Sequence, residues 1–263
     1  MKYIESGYKG DAEELIVVAI GDLHIGSSHF CMDTLNDILK FIDDHRERCR
    51  IILMGDIAET ATKTSVGAGV YEQTMTPVEQ INRAVEIFDP YRDLIDGVVI
   101  GNHEMRIYKD SGVDLLDEVF CPKLGLSERY LRYQGVIKYA WNKRAYNFAV
   151  WHGRGGGRKA GGALNKVDDM RQIVFGDVFL MGHHHRLAAT KNDFYVPDPQ
   201  NMRMKRITQT VVVTGSSLDY EGSYAEESGL TPTTKGFPII RLSGRTIRKK
   251  GTTYRVKDVR VEY

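Results

Sequence analysis

Leu15-Ile16-Val17-Val18-Ala19-Ile20-Gly21-Asp22-Leu23-His24 sets the pattern for the whole chain. Six consecutive apolar residues without polar alternation fit a strand covered on both faces, as in the parallel sheets of α/β proteins. The run stops in Gly-Asp-x-His, so a carboxylate and an imidazole stand at the carboxyl end of a buried strand. Open α/β sheets form their sites outside such ends. The same grammar returns four times. Ile51–Met54 ends in Gly55-Asp56, and Val98–Ile100 ends in Gly101-Asn102-His103-Glu104. Tyr146–Val150 leads to Trp151-His152-Gly153, and Val178–Met181 leads to Gly182-His183-His184-His185.

Between these strands lie helices. Leu35, Ile38, Leu39 and Ile42 fall at i, i+3, i+4, i+7, which predicts a helix running to about Arg48. Residues 59–75 read as a long Gly/Thr/Ser-rich loop. Thr76-Pro77-Val78-Glu79 opens a second helix, with Thr76 as N-cap, Pro77 at the first helical position and Glu79 closing a capping box. Val78, Ile81, Val85 and Phe88 are its expected buried stripe. Strands are also expected at Val211–Thr214 and Phe237–Leu242, and Tyr254–Tyr263 reads as a terminal edge strand. No repeat and no linker marks a boundary, so one α/β domain over residues 1–263 is expected.

Of the 263 residues, 42% are apolar and 27% charged, which excludes a disordered chain. Three cysteines, Cys31, Cys49 and Cys121, form no C-x-x-C pair, so a disulfide framework or zinc ribbon is not expected and a reducing cytoplasm is. Leu15–Ile20 is too short to span a membrane, and Met1–Gly10 carries no signal-peptide pattern. The net charge of +1 conceals a split. Residues 1–120 hold 11 basic and 23 acidic side chains, and residues 121–263 hold 25 and 12. Either the two halves pair across the fold, or the second half meets a polyanion.

Asp22, His24, Asp56, Asn102, His152, His183 and His185 supply carboxylate, imidazole and one amide, without thiolate. That donor set suits manganese, iron or zinc better than calcium. The i, i+2 spacing of Asp22/His24 and of His183/His185 puts each pair on one side of extended backbone. With seven donors and a carboxylate able to bridge, two divalent metal ions about 3.5–4 Å apart are expected. Each motif alone is weak; five in order, each after an apolar strand, are not. His184 should point away from its neighbours, and His29 and His45 read as loop and helix-surface residues.

Gly21-Asp22-Leu23-His24, Gly55-Asp56, Gly101-Asn102-His103-Glu104, His152-Gly153 and Gly182-His183-His184-His185 resemble the five signature blocks of calcineurin-like metallophosphoesterases, over about two thirds of the chain. The resemblance implies a β-sandwich of two mixed sheets flanked by helices, in four layers αββα. It implies one cation on Asp22, His24, Asp56 and His185 and another on Asp56, Asn102, His152 and His183, with Asp56 bridging. His103 would be the catalytic residue facing the phosphate. The implied reaction is in-line attack on phosphorus by a hydroxide lying between two cations, manganese above all. His103 would donate a proton or hydrogen bond to the leaving oxygen.

Residues 153–162 hold six glycines with Arg154, Arg158 and Lys159, a combination able to bring backbone N–H groups and positive charge to an anion. These three are the candidate substrate-binding residues; a linker with incidental charge is the competing reading. Gly155-x-Gly157-x-x-Ala160 matches a dinucleotide fingerprint in letters only, because Asp177 precedes its strand instead of ending one. Lys166, Arg171, Arg186, Lys191, Arg203, Lys205 and Arg206, with Tyr195, Tyr220 or Tyr224 for stacking, suit a nucleic-acid backbone.

Asp56-Ile57-Ala58-Glu59 lacks the Asp-Arg-Gly continuation of protein phosphatases. Asp22-Leu23-His24-Ile25-Gly26 is similar to the D-x-H-[LI]-G of double-strand-break-repair exonucleases. The layout also looks like phosphoesterases encoded in phages and prophages. The expected activity is therefore a nucleic-acid phosphodiesterase of DNA nuclease type. The alternatives are a small-molecule phosphoesterase acting on cyclic nucleotides or nucleotide diphosphate conjugates, and an idle binding subunit on the same scaffold.

Overall fold

The unbroken apolar run at residues 15–20 is explained by two different neighbours. Ile16, Val18 and Ile20 face a core shared with helices, whereas Leu15, Val17 and Ala19 face a second sheet. The computed structural model describes residues 1–63, 65, 69–155, 159–249 and 251–263.

In chain order the first half comprises β1 (Lys2–Glu5), β2 (Glu14–Ile20), α1 (Met32–Asp44), β3 (Cys49–Leu53), α2 (Gly69–Glu72), α3 (Pro77–Phe88), β4 (Ile95–Val99) and α4 (Glu104–Ser111). Then come α5 (Cys121–Leu124), β5 (Tyr130–Arg132), β6 (Gln134–Trp141), β7 (Arg144–Trp151), α6 (Ala160–Asp169) and β8 (Val178–Met181). The remainder is β9 (Leu187–Asp198), β10 (Arg203–Thr214), α7 (Tyr224–Glu227), β11 (Ile239–Ser243), β12 (Thr246–Lys249), β13 (Thr252–Arg255) and β14 (Val259–Glu262).

Two mixed six-stranded sheets result, ordered β1-β6-β7-β8-β10-β9 and β14-β11-β2-β3-β4-β5. Their facing sides share one core, which makes an α/β sandwich: Val17, Ile52 and Val99 from one sheet meet Tyr139, Phe148, Leu180 and Val212 from the other. Leu35, Ile38, Leu39 and Ile42 of α1 and Ile81, Ala84 and Phe88 of α3 cover the outer face of the second sheet. Ala163 and Val167 of α6 cover Phe179, Val211 and Val213 of the first. β2 through β5 run parallel, as do β7, β8 and β10, so their carboxyl ends gather at one end of the sandwich.

A buried ion pair ties the opposite end. Arg50 (β3) donates from Nε and Nη2 to the two Asp96 oxygens at 2.9 and 2.5 Å, and Ser6 Oγ and Gly7 N–H also donate to Asp96. Both charged side chains are buried, so removing one strands the other. Asp96→Ala is expected to cost about 3–5 kcal/mol in urea denaturation. A loss under 1 kcal/mol would mean that Arg50 finds water instead.

Several local expectations change. The capping box of Thr76 and Glu79 forms, but Val78 is 54% exposed. The inward stripe runs instead through Ile81, Ala84, Ile87 and Phe88, because the helix phase is set by Leu116 and Phe120 packing beside it. α1 ends at Asp44 and continues to Arg48 only as a tighter 3₁₀ turn. Residues 59–75 include the short α2. Residues 254–263 are not one strand: β13 pairs only with β12, while β14 edges the second sheet on β11.

The basic tract also moves. β10 joins β8 only over Thr210–Val213, so Arg203–Gln209 and their β9 partners project past the sheet, away from the site end. Arg203, Lys205, Arg206 and Tyr195 sit on that arm. Among the described residues, no helix is long and apolar enough to cross a membrane.

Candidate metal centre

Backbone hydrogen bonds lock the strand-end loops together. Asp22 N–H donates to Gly55 C=O (2.9 Å), His24 N–H to Asp56 C=O (3.0 Å), and Ser217 N–H to Asp22 C=O (3.4 Å). Gly101 is required by close approach, since a Cβ there would strike the Asp56 carboxylate. Glu104, wholly buried at the start of α4, takes three N–H groups: Asp56 (3.1 Å) and Gly101 (3.0 Å) on Oε2, and Ala58 (3.0 Å) on Oε1. Burial, then the neighbouring Asp56 charge, raises its pKa to about 7.

All seven expected ligand residues converge. Asp22, His24 and His185 form one cluster and Asp56, His152 and His183 another, the ligand atoms of each lying within 4.8 Å of one another. In the first, His185 Nε2 is 3.3 Å from both Asp22 Oδ1 and His24 Nε2. In the second, His152 Nε2 is 3.2 Å from Asp56 Oδ2. Asn102 Oδ1 joins it, 3.0 Å from His152 Nε2 and 2.6 Å from His183 Nδ1. Asp56 Oδ2 also lies 3.9 Å from His24 Nε2, between the clusters. Its Oδ1 is held by the His103 N–H at 2.8 Å.

The pairs do not meet as expected, however. Asp22, His24, Asp56, His183 and His185 all have φ between 48 and 66°, so the spacing works through left-handed turns and not through extended backbone. A strand would carry its next side chains away along the sheet; a left-handed residue turns the chain and keeps both donors at the strand end.

Outer partners fix which nitrogens face inward. His152 Nδ1 lies 2.8 Å from the Met54 carbonyl, which only accepts, so Nδ1 carries the proton. His24 Nδ1 lies 2.8 Å from Glu59 Oε2 and is fixed likewise. The Nε2 lone pair of His152 therefore points at two acceptor oxygens, and that of His24 at a third imidazole. Acceptors facing acceptors need a positive centre between them, and outer-partner control of imidazoles is characteristic of metal sites.

In the cation-free chain a proton fills that role at His152: burial opposes it, but the Asp56 charge prevails and lifts the pKa to about 10. Burial likewise opposes ionisation of Asp56, yet His152 and His103 hold it well below the usual carboxylate range. A cation entering the second cluster must displace the His152 proton, so affinity should fall as pH falls. Calorimetric titration with manganese between pH 6 and 8 should show roughly tenfold tighter binding per pH unit for that proton. A flat response would mean that His152 is not a ligand.

His103 stands beside these two clusters and forms a third group with His24 and Glu59, whose ligand atoms also lie within 4.8 Å of one another. Its Nδ1 lies 2.8 Å from the Glu59 carbonyl and its Nε2 3.9 Å from Asp56 Oδ2. Burial disfavours its charged form, but Asp56 and Glu59 outweigh this and raise its pKa. Arg106 Nη1 and Nη2 sit 3.0 and 2.9 Å from the two ring nitrogens, so the guanidinium lies across the ring. Glu59, Glu104 and Arg106 were not singled out by the sequence. Glu104 stood in the Gly-Asn-His-Glu block, its only advance signal.

The substrate-binding candidates are not joined to this cluster. Arg154 and Lys159 are exposed, and among the described residues no hydrogen bond or ion pair links them to the ligands. Arg158 lies outside the described residues. His184, half-buried, has its Nε2 without a hydrogen-bond partner among the described residues. The 215–236 segment packs beside the first strand-end loop, through Ser217 bonds to Asp22, Leu23 and Cys31.

No family model matches the chain, and no curated protein matches it. Among solved structures it is similar to GAP50, the anchor in the inner membrane complex of Plasmodium. The two share 11% sequence identity over 94% of this chain and 89% of that one, at a TM-score of 0.44. A likeness that distant carries no weight for function.

Proposed function

We propose that the protein is a two-cation metallophosphoesterase of the calcineurin-like kind, cleaving phosphodiesters, with nucleic acid as its leading substrate class. One observation carries this reading: imidazole lone pairs, fixed by Met54 and Glu59, converge with carboxylate and amide oxygens on two adjoining points that share Asp56 Oδ2. The donor set fits divalent transition cations, being oxygen and imidazole without thiolate. Such cations, when bound, supply Lewis acidity that makes water nucleophilic near neutral pH and offsets charge on phosphoryl oxygens.

The chain's own residues do the rest. His103 N–H holds Asp56 Oδ1, which keeps Oδ2 turned between the two clusters. Glu59 orients His24 through a side-chain oxygen and His103 through its carbonyl. Glu104 binds the Asp56 and Gly101 loops together, fixing their spacing. His103, its pKa raised by Asp56 and Glu59, can carry a proton on a ring whose Nε2 stands 3.9 Å from the shared oxygen, and can pass it to a leaving alkoxide.

The test is turnover of bis-p-nitrophenyl phosphate, p-nitrophenyl phosphate, cyclic nucleotides, and single- and double-stranded DNA, with and without added manganese. Cation-dependent diester hydrolysis is expected. No turnover on any of these with manganese, iron or zinc overturns the proposal. For DNA, log affinity should fall steeply with log salt; a flat response with turnover of cyclic nucleotides favours the small-molecule alternative.

A further inference from the structure

Beside the metal centre the rim carries a cation flanked by aromatic rings that the ligand geometry does not use. Arg132, at the carboxyl end of β5, is exposed and has φ of 60°. Its guanidinium carbon lies 4.9 Å from the Tyr133 ring centroid and 5.3 Å from that of Tyr108. Tyr133 is 47% exposed. Among the described residues, no carboxylate lies within ion-pair distance of Arg132. A long cationic side chain in a left-handed turn, held over tyrosines and without an acidic partner, is an arrangement that core packing does not require.

Two backbone links fix the position of this cluster. Ile100 N–H donates to Arg132 C=O (2.8 Å), so Arg132 borders the loop bearing Asn102 and His103. Gln134 pairs in register with Trp151, so Tyr133 also borders the strand end bearing His152. Tyr108 follows His103 on α4 by five residues, ~7.5 Å of helix rise, about two stacked nucleotides. Arg106 lies between them in the chain, ~3 Å of helix rise closer to the site.

We propose that Tyr108, Arg132 and Tyr133 form a base-stacking platform that seats an unpaired nucleobase of a single-stranded polynucleotide about two nucleotides from the reacting phosphate. The proposal rests on the phosphodiesterase reading and deepens it. Every base offers a π-face to an exposed tyrosine, and a guanidinium adds attraction for both base and backbone. Such a platform selects unpaired strands without reading sequence, because bases in a duplex are already stacked on each other. It also replaces the stacking role that the sequence suggested for Tyr195, which lies on the distant β9–β10 arm.

The experiment is a binding cycle on the full chain, read by fluorescence anisotropy at fixed low salt. A labelled oligothymidylate is compared with an oligomer of equal length and charge made of abasic units. Wild type should prefer the base-bearing strand by roughly 5- to 150-fold. Tyr133→Ala should reduce that preference, and Tyr133→Trp should restore it, since stacking needs a ring and no hydroxyl. An unchanged preference in Tyr133→Ala, or none in wild type, overturns the platform. Failure of the underlying reading looks different: wild type would hydrolyse no bis-p-nitrophenyl phosphate with any cation, whatever the oligomers do.

Discussion

His103→Ala is expected to lower diester turnover by ~10²–10⁴-fold while both cations stay in place. The contact between residue 103 and the shared carboxylate runs through the backbone N–H, 2.8 Å from Asp56 Oδ1, and alanine keeps it. What alanine removes is the ring whose Nε2 stands 3.9 Å from Asp56 Oδ2. The deficit should therefore appear in kcat and grow with the basicity of the leaving group. An activated p-nitrophenolate needs little protonation, whereas a nucleoside alkoxide needs much. Metal content by mass spectrometry and turnover of the two substrate types measure it together. Wild-type turnover of DNA by this variant would take His103 out of the reaction, and loss of metal would make it a ligand support.

Asp56→Asn should do something different, emptying both clusters. Its Oδ2 is 3.2 Å from His152 Nε2 and 3.9 Å from His24 Nε2, so it faces both groups. An asparagine turned to keep the His103 N–H would present its NH₂ to His152 Nε2, so a neutral donor would occupy the place of positive charge. Loss of an outer-sphere partner typically lowers metal affinity ~10–100-fold, and a shared ligand should exceed that at both positions. Calorimetric titration should find two sites weakened together. Weakening of one alone would show that Asp56 does not bridge. A weaker preference for alkaline pH in cation binding is expected as well, because the Asp56 carboxylate is the main group raising the His152 pKa, with Asp22 and the Met54 carbonyl adding less.

Where the sequence was readable, it was readable because burial on both faces leaves no ambiguity of period. Ile51–Met54 and Val178–Met181 lie between helices and the opposite sheet, and every position is apolar. The chemistry at their ends was visible for the same reason, since a carboxylate or imidazole stands out after such a run. The β9–β10 arm was not visible. Arg203-Met204-Lys205-Arg206 is open to solvent, so no hydrophobic alternation marks it as strand. Val78 failed for a related reason: helical spacing gives the stripe's period but not which neighbouring helix sets its phase. Glu59 and Glu104 act by accepting hydrogen bonds, mostly from groups far along the chain, and no local pattern announces that. The Tyr108, Arg132 and Tyr133 cluster draws on two segments brought together by the β4–β5 pairing.

Five of the seven proposed ligand residues are non-glycines with positive φ. Each such conformation costs of order 1–3 kcal/mol, and a whole domain is typically stable by only about 5–15 kcal/mol. The sandwich thus subsidises its own site, and losing the site would make it sturdier. At His185, where the ring is a third exposed and little packing is at stake, glycine would trade a ligand for a higher melting temperature. Selection for heat resistance alone would therefore erode this centre from its turns inward, while the two sheets stayed intact.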